Sequence, residues 1–324
     1  MIGDLAKLGH VAMVTPDLEK SLWFFGEVLG LDEVERRDGV VYLRAWGEFE
    51  HHSLSLREGP TGIDHVGWRA STPEAVDQLA DRLAKTGLDL TWVEPDEEAG
   101  QGRAFRFTPP TGHPFEIYYD IAKPKAPPEI RARLKSNNAS AGRFGLSPRM
   151  LDHVNLATTD PHAGQEWMRE QLGFHLREAV QSPGQPIRGA WLAVTSQVHD
   201  LALIGDPDGL NGRFNHLSYI FDTPNDVMRA CDLLRELDVP IELGPGMHGL
   251  SRAFYCYLHD PGSGHRVELF SGGYHIFDPD WEPVIWTEDE LPEAGSWWGP
   301  YYSAGPDNPT STTTPCVPAD VATA

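Results

Sequence analysis

Residues 244–270 decide the fold prediction, and they read GPGMHGLSRAFYCYLHDPGSGHRVELF. A Gly/Pro-rich loop carries His248 and leads into residues 254–259, where two kinds of side chain alternate as in a strand with two different faces. A turn signal follows at residues 260–264. Glu268 then lies within a second apolar strand, where a carboxylate is costly to bury unless it is paired or bound to a metal. Glu268 is therefore a candidate metal ligand.

An internal repeat supplies candidate partners for Glu268. Each copy places two histidines and one glutamate on three strand-like segments, and the second copy has an insertion near residues 181–186. The matching segments are LGHVAMV (8–14) and LDHVNLA (151–157), IDHVGW (63–68) and FNHLSY (214–219), and PFEIY (114–118) and RVELF (266–270). The candidate ligands are His10, His65 and Glu116 in the first copy and His153, His216 and Glu268 in the second.

The repeat divides the chain into two domains of similar design. Capping signals predict helices at residues 18–29, 72–86 and 159–172. A Pro-rich stretch with weak periodicity separates the two copies. The expected parts are a non-catalytic first domain at 1–122, an interdomain connection at 123–148, a catalytic second domain at 149–275, and a tail at 276–324 that is a possible lid.

Composition favours a cytoplasmic metal-dependent enzyme and argues against several other classes. The 324 residues suffice for two domains, and the net charge of −22 argues against nucleic acid or an anionic membrane as a partner. The three cysteines lie far apart, so neither a disulfide framework nor a zinc ribbon is indicated. The sequence has neither a leader-like start nor an apolar run long enough to cross a membrane. The 14 histidines favour metal chemistry.

Two imidazoles and one carboxylate on one face of a divalent ion leave the opposite face open for further ligands. This is the usual ligand set of non-haem Fe(II) enzymes that bind a substrate and O2 together. Mn(II) accepts the same set, whereas catalytic zinc normally keeps only one open position. We therefore expect His153, His216 and Glu268 to bind Fe(II), or alternatively Mn(II), with O2 as a co-substrate.

Three further polar residues distinguish the second copy from the first. Acid–base chemistry on a phenolic substrate requires proton donors and acceptors near the metal, and His199, His248 and Tyr257 offer them. The first copy has its own ligand set, which leaves metal binding open there, but it lacks counterparts of His248 and Tyr257. We therefore expect the active site in the second copy and a relic in the first. The alignments in the first copy are His51 for His199, Phe107 or Thr108 for Tyr257, and no histidine for His248.

The motif GPGMHG, followed by Tyr257, an Asp-Pro turn and Glu268, resembles the type I extradiol ring-cleaving dioxygenases of the vicinal oxygen chelate superfamily. The likeness covers residues 5–300 and is greatest for catechol 2,3-dioxygenases and homoprotocatechuate 2,3-dioxygenases. It implies an α+β fold of tandem βαβββ modules that form two barrel-like domains, with Fe(II) in the second. It also implies a homo-oligomer, commonly a tetramer.

The resemblance assigns roles to individual residues. It implies a reaction that uses Fe(II) and O2 to open a catechol ring next to its diol, giving a 2-hydroxymuconic semialdehyde-type product in aromatic degradation. The implied roles are metal binding for His153, His216 and Glu268, acid–base chemistry for His199, hydrogen bonds to the substrate oxygens for His248 and Tyr257, and lining of the cavity for Asn155 and Trp191.

Two departures from the family pattern indicate a neutral substrate. Homoprotocatechuate enzymes carry arginines before the Gly-Pro-Gly loop and before the Trp-Trp-Gly segment, where this chain has Leu243 and the residues AGS at 294–296. A carboxylate without a cationic partner would be costly to bury in an apolar pocket. We therefore expect catechol or an alkyl-, chloro- or aryl-substituted catechol as the substrate.

Other interpretations of the same residues remain. A homoprotocatechuate-type or 2,3-dihydroxybiphenyl-type extradiol dioxygenase would share every motif. Other members of the superfamily, such as 4-hydroxyphenylpyruvate dioxygenases and glyoxalases, share the repeat and the ligands but lack the set of His199, His248 and Tyr257. A non-catalytic protein that binds small aromatic ligands would need no acid–base residue at all.

Overall fold

The computed structural model describes residues 3–142, 145–300 and 313–316. The chain forms two β-sheets, one from each half of the repeat, and each sheet combines two βαβββ modules. This is the tandem-module α+β fold predicted from the sequence. Within the tail, residues 301–312 and 317–324 lie outside the described residues, so the possible lid is seen there only in part.

The first sheet belongs to the N-terminal half. Its strands are β1 (Leu5–Thr15), β2 (Asp32–Arg37), β3 (Val40–Arg44), β4 (Leu54–Glu58), β5 (Gly62–Ala70), β6 (Thr91–Val93), β7 (Ala104–Phe107) and β8 (Phe115–Tyr118). Their order across the sheet is β2-β3-β4-β1-β5-β8-β7-β6. Within each module the first and last strands pair in parallel, β1 with β4 and β5 with β8. The antiparallel pair of β1 and β5 then joins the two modules.

The second sheet repeats this design and adds strands from the tail. Its strands are β9 (Met150–Thr158), β10 (His175–Val180), β11 (Gly189–Ala193), β12 (Leu201–Gly205), β13 (Arg213–Phe221), β14 (Ile241–Met247), β15 (Ala253–His259), β16 (Arg266–Gly272), β17 (Val284–Trp286) and β18 (Thr314–Pro315). The order is β14-β15-β16-β13-β9-β12-β11-β10-β17, and β18 pairs with β13. Thus β9 and β13 occupy the central place that β1 and β5 hold in the first sheet.

One helix connects the first and second strands of each module, and a short one lies in the tail. Capping explains where the longer helices begin: the Thr72 side chain accepts from the Ala75 amide, and the Asp160 side chain accepts from the Ala163 amide. No helix within the described ranges is long and apolar enough to cross a membrane. The helices are α1 (Leu18–Leu22), α2 (Pro73–Ala84), α3 (Pro161–Leu172), α4 (Pro224–Glu236) and α5 (Leu291–Gly295).

The first helical segment differs from its prediction. The sequence predicts one continuous helix over residues 18–29, whereas α1 ends at Leu22 and a π-helical segment, Trp23–Val28, replaces its second half. The Leu29 amide donates to the Phe24 carbonyl oxygen at 2.7 Å, the five-residue spacing of a π-helix. The adjacent rings of Phe24 and Phe25 are both fully buried.

Two equivalent histidines join the domains. His113 precedes β8, and its Nε2 lies 3.1 Å from the Ala157 carbonyl oxygen and 2.9 Å from that of Arg213 in the second half. His265 precedes β16, and its Nε2 lies 3.2 Å from the Val14 carbonyl oxygen in the first half. Because a carbonyl oxygen can only accept, both imidazoles donate from Nε2. The repeat thus ties each half to the backbone of the other.

Candidate metal centre and catalytic cavity

Three strands of the second sheet direct His153, His216 and Glu268 to one point. The Nε2 atoms of the two histidines are 3.3 Å apart. The Oε2 atom of Glu268 lies 3.0 Å from His153 Nε2 and 3.5 Å from His216 Nε2. The outward-facing Nδ1 atoms are held by polar neighbours in the sequence, His153 by Asp152 at 2.8 Å and His216 by Asn215 at 2.7 Å. Such partners orient ligating imidazoles in metal sites.

The chemistry of this donor set fits a divalent cation. All three side chains are buried, and their ligand atoms lie within 4.8 Å of one another. No hydrogen bond of acceptable geometry reaches the buried Oε2 atom of Glu268 within the described part of the chain, although His153 Nε2 is close. A buried carboxylate oxygen in that situation is stabilised by a cation. Two imidazoles and a carboxylate suit Fe(II) or Mn(II).

Burial and ion pairing set the protonation of these groups. Burial lowers the pKa of His216 to about 4, and it also lowers the pKa of His199, with help from the positive charge of His153. Burial opposes the charged form of His153 as well, but Asp152 and Glu268 outweigh it and raise that pKa to about 9. Burial would raise the pKa of Glu268, yet the surrounding imidazoles hold it well below its usual range. An ionised carboxylate therefore faces two neutral imidazoles, those of His199 and His216, at neutral pH.

The structure brings the three predicted acid–base residues to the same cluster. The His199 ring lies 4.1 Å from the His153 ring, and its buried Nδ1 has no hydrogen-bond partner among the described residues. His248 Nε2 lies 3.0 Å from the Tyr257 hydroxyl and 3.6 Å from Glu268 Oε1. These three side chains therefore lie beside the candidate metal ligands and offer groups that can donate or accept protons.

A cavity of about 320 Å3 opens beside the cluster. Its volume falls at the lower end of the range of small-molecule sites, roughly 300–1,000 Å3. Asn155 and Trp191 line it, as the resemblance implied. Leu243, Leu250 and Leu291 form apolar wall on the side of the Gly-Pro-Gly loop and the tail. The cavity thus has a polar end at the cluster and apolar walls beyond it.

The first copy assembles a related cluster with one more carboxylate. His10 Nε2 and His65 Nε2 are 3.0 Å apart. Glu98 reaches them at 3.5 and 3.2 Å, whereas Glu116 lies 3.8 Å from each. Arg106 enters the same cluster, with Nε 2.6 Å from Glu116 and a terminal nitrogen 3.1 Å from Glu98. A guanidinium therefore already neutralises carboxylates here.

The sheet register corrects one alignment between the copies. The parallel pairs of β1 with β4 and of β9 with β12 make His52, and not the predicted His51, the equivalent of His199. The His52 ring lies 4.8 Å from His10, much as His199 lies near His153. A shift of one residue exchanges the two faces of a strand. His51 consequently faces away, and its Nε2 lies 3.1 Å from a Glu35 oxygen.

A second alignment is corrected in the same way. Arg106 pairs with Glu116 across β7 and β8, just as Tyr257 pairs with Glu268 across β15 and β16. The equivalent of Tyr257 is therefore Arg106 rather than Phe107 or Thr108. Glu98 lies in the loop before β7, the place that His248 holds before β15.

Sequence reasoning missed Asp152 and Asn215, which orient the ligands, and Glu98 and Arg106 of the first cluster. A signal for the first two exists, since a polar residue stands immediately before three of the four strand histidines: Asp64, Asp152 and Asn215. Asp64 Oδ1 indeed lies 2.9 Å from His65 Nδ1. Glu98 is one of several acidic residues in its loop, and nothing in the sequence separates it from them.

Comparison with known proteins agrees with this geometry. A model of the Glyoxalase/Bleomycin resistance protein/Dioxygenase superfamily matches residues 150–269, and a model of the catechol 2,3-dioxygenase-like N-terminal domain matches residues 63–122. The manganese-dependent 2,3-dihydroxybiphenyl 1,2-dioxygenase of Geobacillus genomosp. 3 is 49% identical over 98% of this chain and 100% of that protein. A metapyrocatechase of Geobacillus stearothermophilus is 39% identical over 92% of this chain and 90% of that protein.

The chain belongs to the extradiol dioxygenases of the vicinal oxygen chelate superfamily. The crystal structure of homoprotocatechuate 2,3-dioxygenase from Arthrobacter globiformis matches this dioxygenase with a TM-score of 0.87 at 29% identity, over 98% of this chain and 94% of that chain. The match spans both module pairs, so the resemblance inferred from the GPGMHG motif and the two-domain fold that it implied are both confirmed.

Proposed function

We propose that this extradiol dioxygenase cleaves neutral catechols with Fe(II) or Mn(II) held by His153, His216 and Glu268. The observation that supports the proposal is the opening of this ligand set onto a cavity with apolar walls. A divalent ion in the site supplies Lewis acidity toward the diol oxygens and open coordination positions for O2. Mn(II) gains support from the 49% identical relative, whose name describes it as manganese-dependent.

The proton transfers fall to His199, His248 and Tyr257. His199 is neutral at neutral pH because burial lowers its pKa, so its imidazole is ready to take a proton from the diol. The contact between His248 and the Tyr257 hydroxyl fixes both side chains for hydrogen bonds to the substrate oxygens. His248 is itself held by the carbonyl oxygen of Gly295, 2.5 Å from its Nδ1, so the tail contributes to the site. Asn155 and Trp191 form further parts of the cavity wall.

The charge of the cavity favours a neutral substituent on the ring. Leu243 and Gly295 line the cavity where related acid-cleaving enzymes carry arginines. Arg266 is the one arginine or lysine among the described lining residues, and Glu242 already accepts from its Nε at 2.7 Å. A substrate carboxylate would therefore meet only a guanidinium whose positive charge is already paired with Glu242. The names of the relatives, a dihydroxybiphenyl dioxygenase and a metapyrocatechase, support alkyl- and aryl-substituted catechols.

Substrate preference tests this proposal. We expect kcat/KM for catechol, 3-methylcatechol and 2,3-dihydroxybiphenyl to exceed that for homoprotocatechuate by about a hundredfold or more, since an unpaired buried charge costs several kcal/mol. The variant Leu243→Arg should narrow this ratio, with Leu243→Met as the matched control that adds no charge. Preference for the acid by the unmodified enzyme would refute the neutral-substrate proposal. The resemblance also supports a homotetramer, which sedimentation velocity would test.

A further inference from the structure

Arg266 is a buried arginine beside the cluster, two residues before Glu268 on β16. Its side chain is held on three sides. The guanidinium carbon lies 3.8 Å from the centre of the Tyr257 ring, and Nε donates to Glu242 at 2.7 Å. A terminal nitrogen donates to Asn215 Oδ1 at 3.3 Å. The ring and the carboxylate prevent the guanidinium from turning away from Asn215.

The contact with Asn215 determines which atoms of that amide face which neighbours. An asparagine side chain presents either an oxygen acceptor or a nitrogen donor, and the two orientations have nearly the same shape. Arginine can only donate, so the atom that faces Arg266 must be the oxygen. The same oxygen lies 2.7 Å from His216 Nδ1. His216 therefore carries its proton on Nδ1, and the lone pair of Nε2 points toward the metal ligands.

The other ligating histidine needs no such help. His153 Nδ1 faces the carboxylate of Asp152 at 2.8 Å, and a carboxylate only accepts. His65 of the first cluster has the same arrangement with Asp64. His216 stands out because its partner is an amide, which is able to turn over and donate instead. An Asn215 amide turned that way would favour a proton on Nε2 of His216, where it would compete with the metal.

We propose that Arg266 is a positioning residue that fixes the metal-binding tautomer of His216 through the amide of Asn215. The inference rests on the proposed metal site, but it concerns affinity for the ion rather than turnover. Outer partners of metal ligands typically change metal affinity by roughly 10- to 100-fold. Removal of Arg266 should therefore weaken the binding of Mn(II) or Fe(II), and a carboxylate at position 215 should make Arg266 unnecessary.

The test is a titration of the metal-free full-length protein with Mn(II), in which electron paramagnetic resonance measures the concentration of the free ion at each step. We expect Arg266→Met to raise Kd by roughly 10- to 100-fold, and Arg266→Lys, which keeps a donor, to raise it less. The double variant Arg266→Met/Asn215→Asp should restore the Kd to within a few-fold of the parent. Far-ultraviolet circular dichroism and thermal melting of the metal-free proteins check that each variant is folded.

The outcomes separate this inference from the proposed function. If Arg266→Met is folded and binds Mn(II) like the parent, or if Asn215→Asp fails to rescue it, Arg266 does not act through the tautomer. If Arg266→Met does not fold, the Kd values of Arg266→Lys and Arg266→Lys/Asn215→Asp are compared instead. A weaker Kd in the first that the second restores supports the inference, and any other result contradicts it. If the parent itself binds neither Mn(II) nor Fe(II), the proposed function fails instead.

Discussion

In the first half of the chain the Nε2 atoms of His10 and His65 lie 3.0 Å apart, and in the second half those of His153 and His216 lie 3.3 Å apart. Both pairs come from the central antiparallel strands of their sheets. The fold therefore builds the same two-histidine arrangement twice. What differs between the halves is the set of residues that surrounds each pair.

The carboxylates show the difference most clearly. Both oxygens of Glu116 already receive strong donors, Gln101 Nε2 and Arg106 Nε, each at 2.6 Å. Glu268 has no guanidinium within hydrogen-bonding distance in the described ranges, and its nearest nitrogen atoms are those of the His153 and His216 imidazoles. In the first copy a guanidinium compensates the carboxylate, whereas in the second copy we propose that a bound ion does so. A single scaffold can thus hold either an ion or a guanidinium.

The cavities beside the two clusters also differ between the halves. The cavity beside the first cluster has a volume of about 200 Å3 and is lined by charged residues that include Arg57, Glu97 and Arg106. The cavity beside the second cluster is larger and has far more apolar lining, with Trp191 and three leucines among its walls. An aromatic substrate would gain more free energy from burial in the second cavity than in the first. This difference supports the proposal that the chemistry takes place in the second copy.

The sharpest way to break this comparison is to remove one histidine from each cluster. We expect His216→Ala to lower kcat/KM for catechol cleavage by about a thousandfold or more, because the Lewis acid contributes several kcal/mol. We expect His65→Ala to leave kcat/KM within a few-fold of the parent. Oxygen uptake with catechol measures both. A large loss of activity in a folded His65→Ala variant would contradict the assignment of the active site to the second copy.

The next prediction concerns the guanidinium in the first cluster. Arg106→Leu leaves Glu98 and Glu116 buried with fewer donors, which should lower the free energy of unfolding by roughly 3–5 kcal/mol. A divalent ion should then bind between these carboxylates and the two histidines and restore part of that stability. We expect elemental analysis to give one metal ion per chain for the parent and two for Arg106→Leu, after loading with Mn(II).

A conservative variant serves as the control for this effect. Arg106→Lys keeps a positive charge beside Glu116 and should still bind only one ion per chain. Thermal melting with and without added Mn(II) shows whether the extra ion stabilises Arg106→Leu selectively. Two ions per chain in the parent protein would mean that the guanidinium does not exclude the metal and that both copies are metal sites.

The sequence was a good guide to this site only where the repeat made a pattern visible. The histidines and glutamates on the strands recur in both copies, so their convergence could be predicted from strand alternation. Arg106 and Glu98 could not, because their positions depend on the length of a hairpin and on the path of a loop. His52 was missed because a shift of one residue changes which side chain points inward. Arg266 was not assigned a role, since its effect depends on which atom of an amide it contacts.

The two copies have stayed alike at His113 and His265, the histidines that join the domains. The smallest expected effect concerns how these two residues make stability depend on pH. Burial lowers the pKa of both His113 and His265 to about 4, against the raising effect of their carbonyl partners. The unfolded chain binds protons on these residues near pH 6.5, whereas the folded chain does not until about pH 4. Stability is therefore full above pH 6.5 and is lost as the pH falls toward 4.

Through each of these histidines, a fall from pH 7 to pH 5 should lower the free energy of unfolding by about 2 kcal/mol. Urea unfolding across this range measures the effect. The variants His113→Gln and His265→Gln should each reduce the pH dependence of the free energy of unfolding by a similar amount. A clear inequality between His113 and His265 would mean that the two domains are not held together in the symmetric way that their matching backbone contacts indicate.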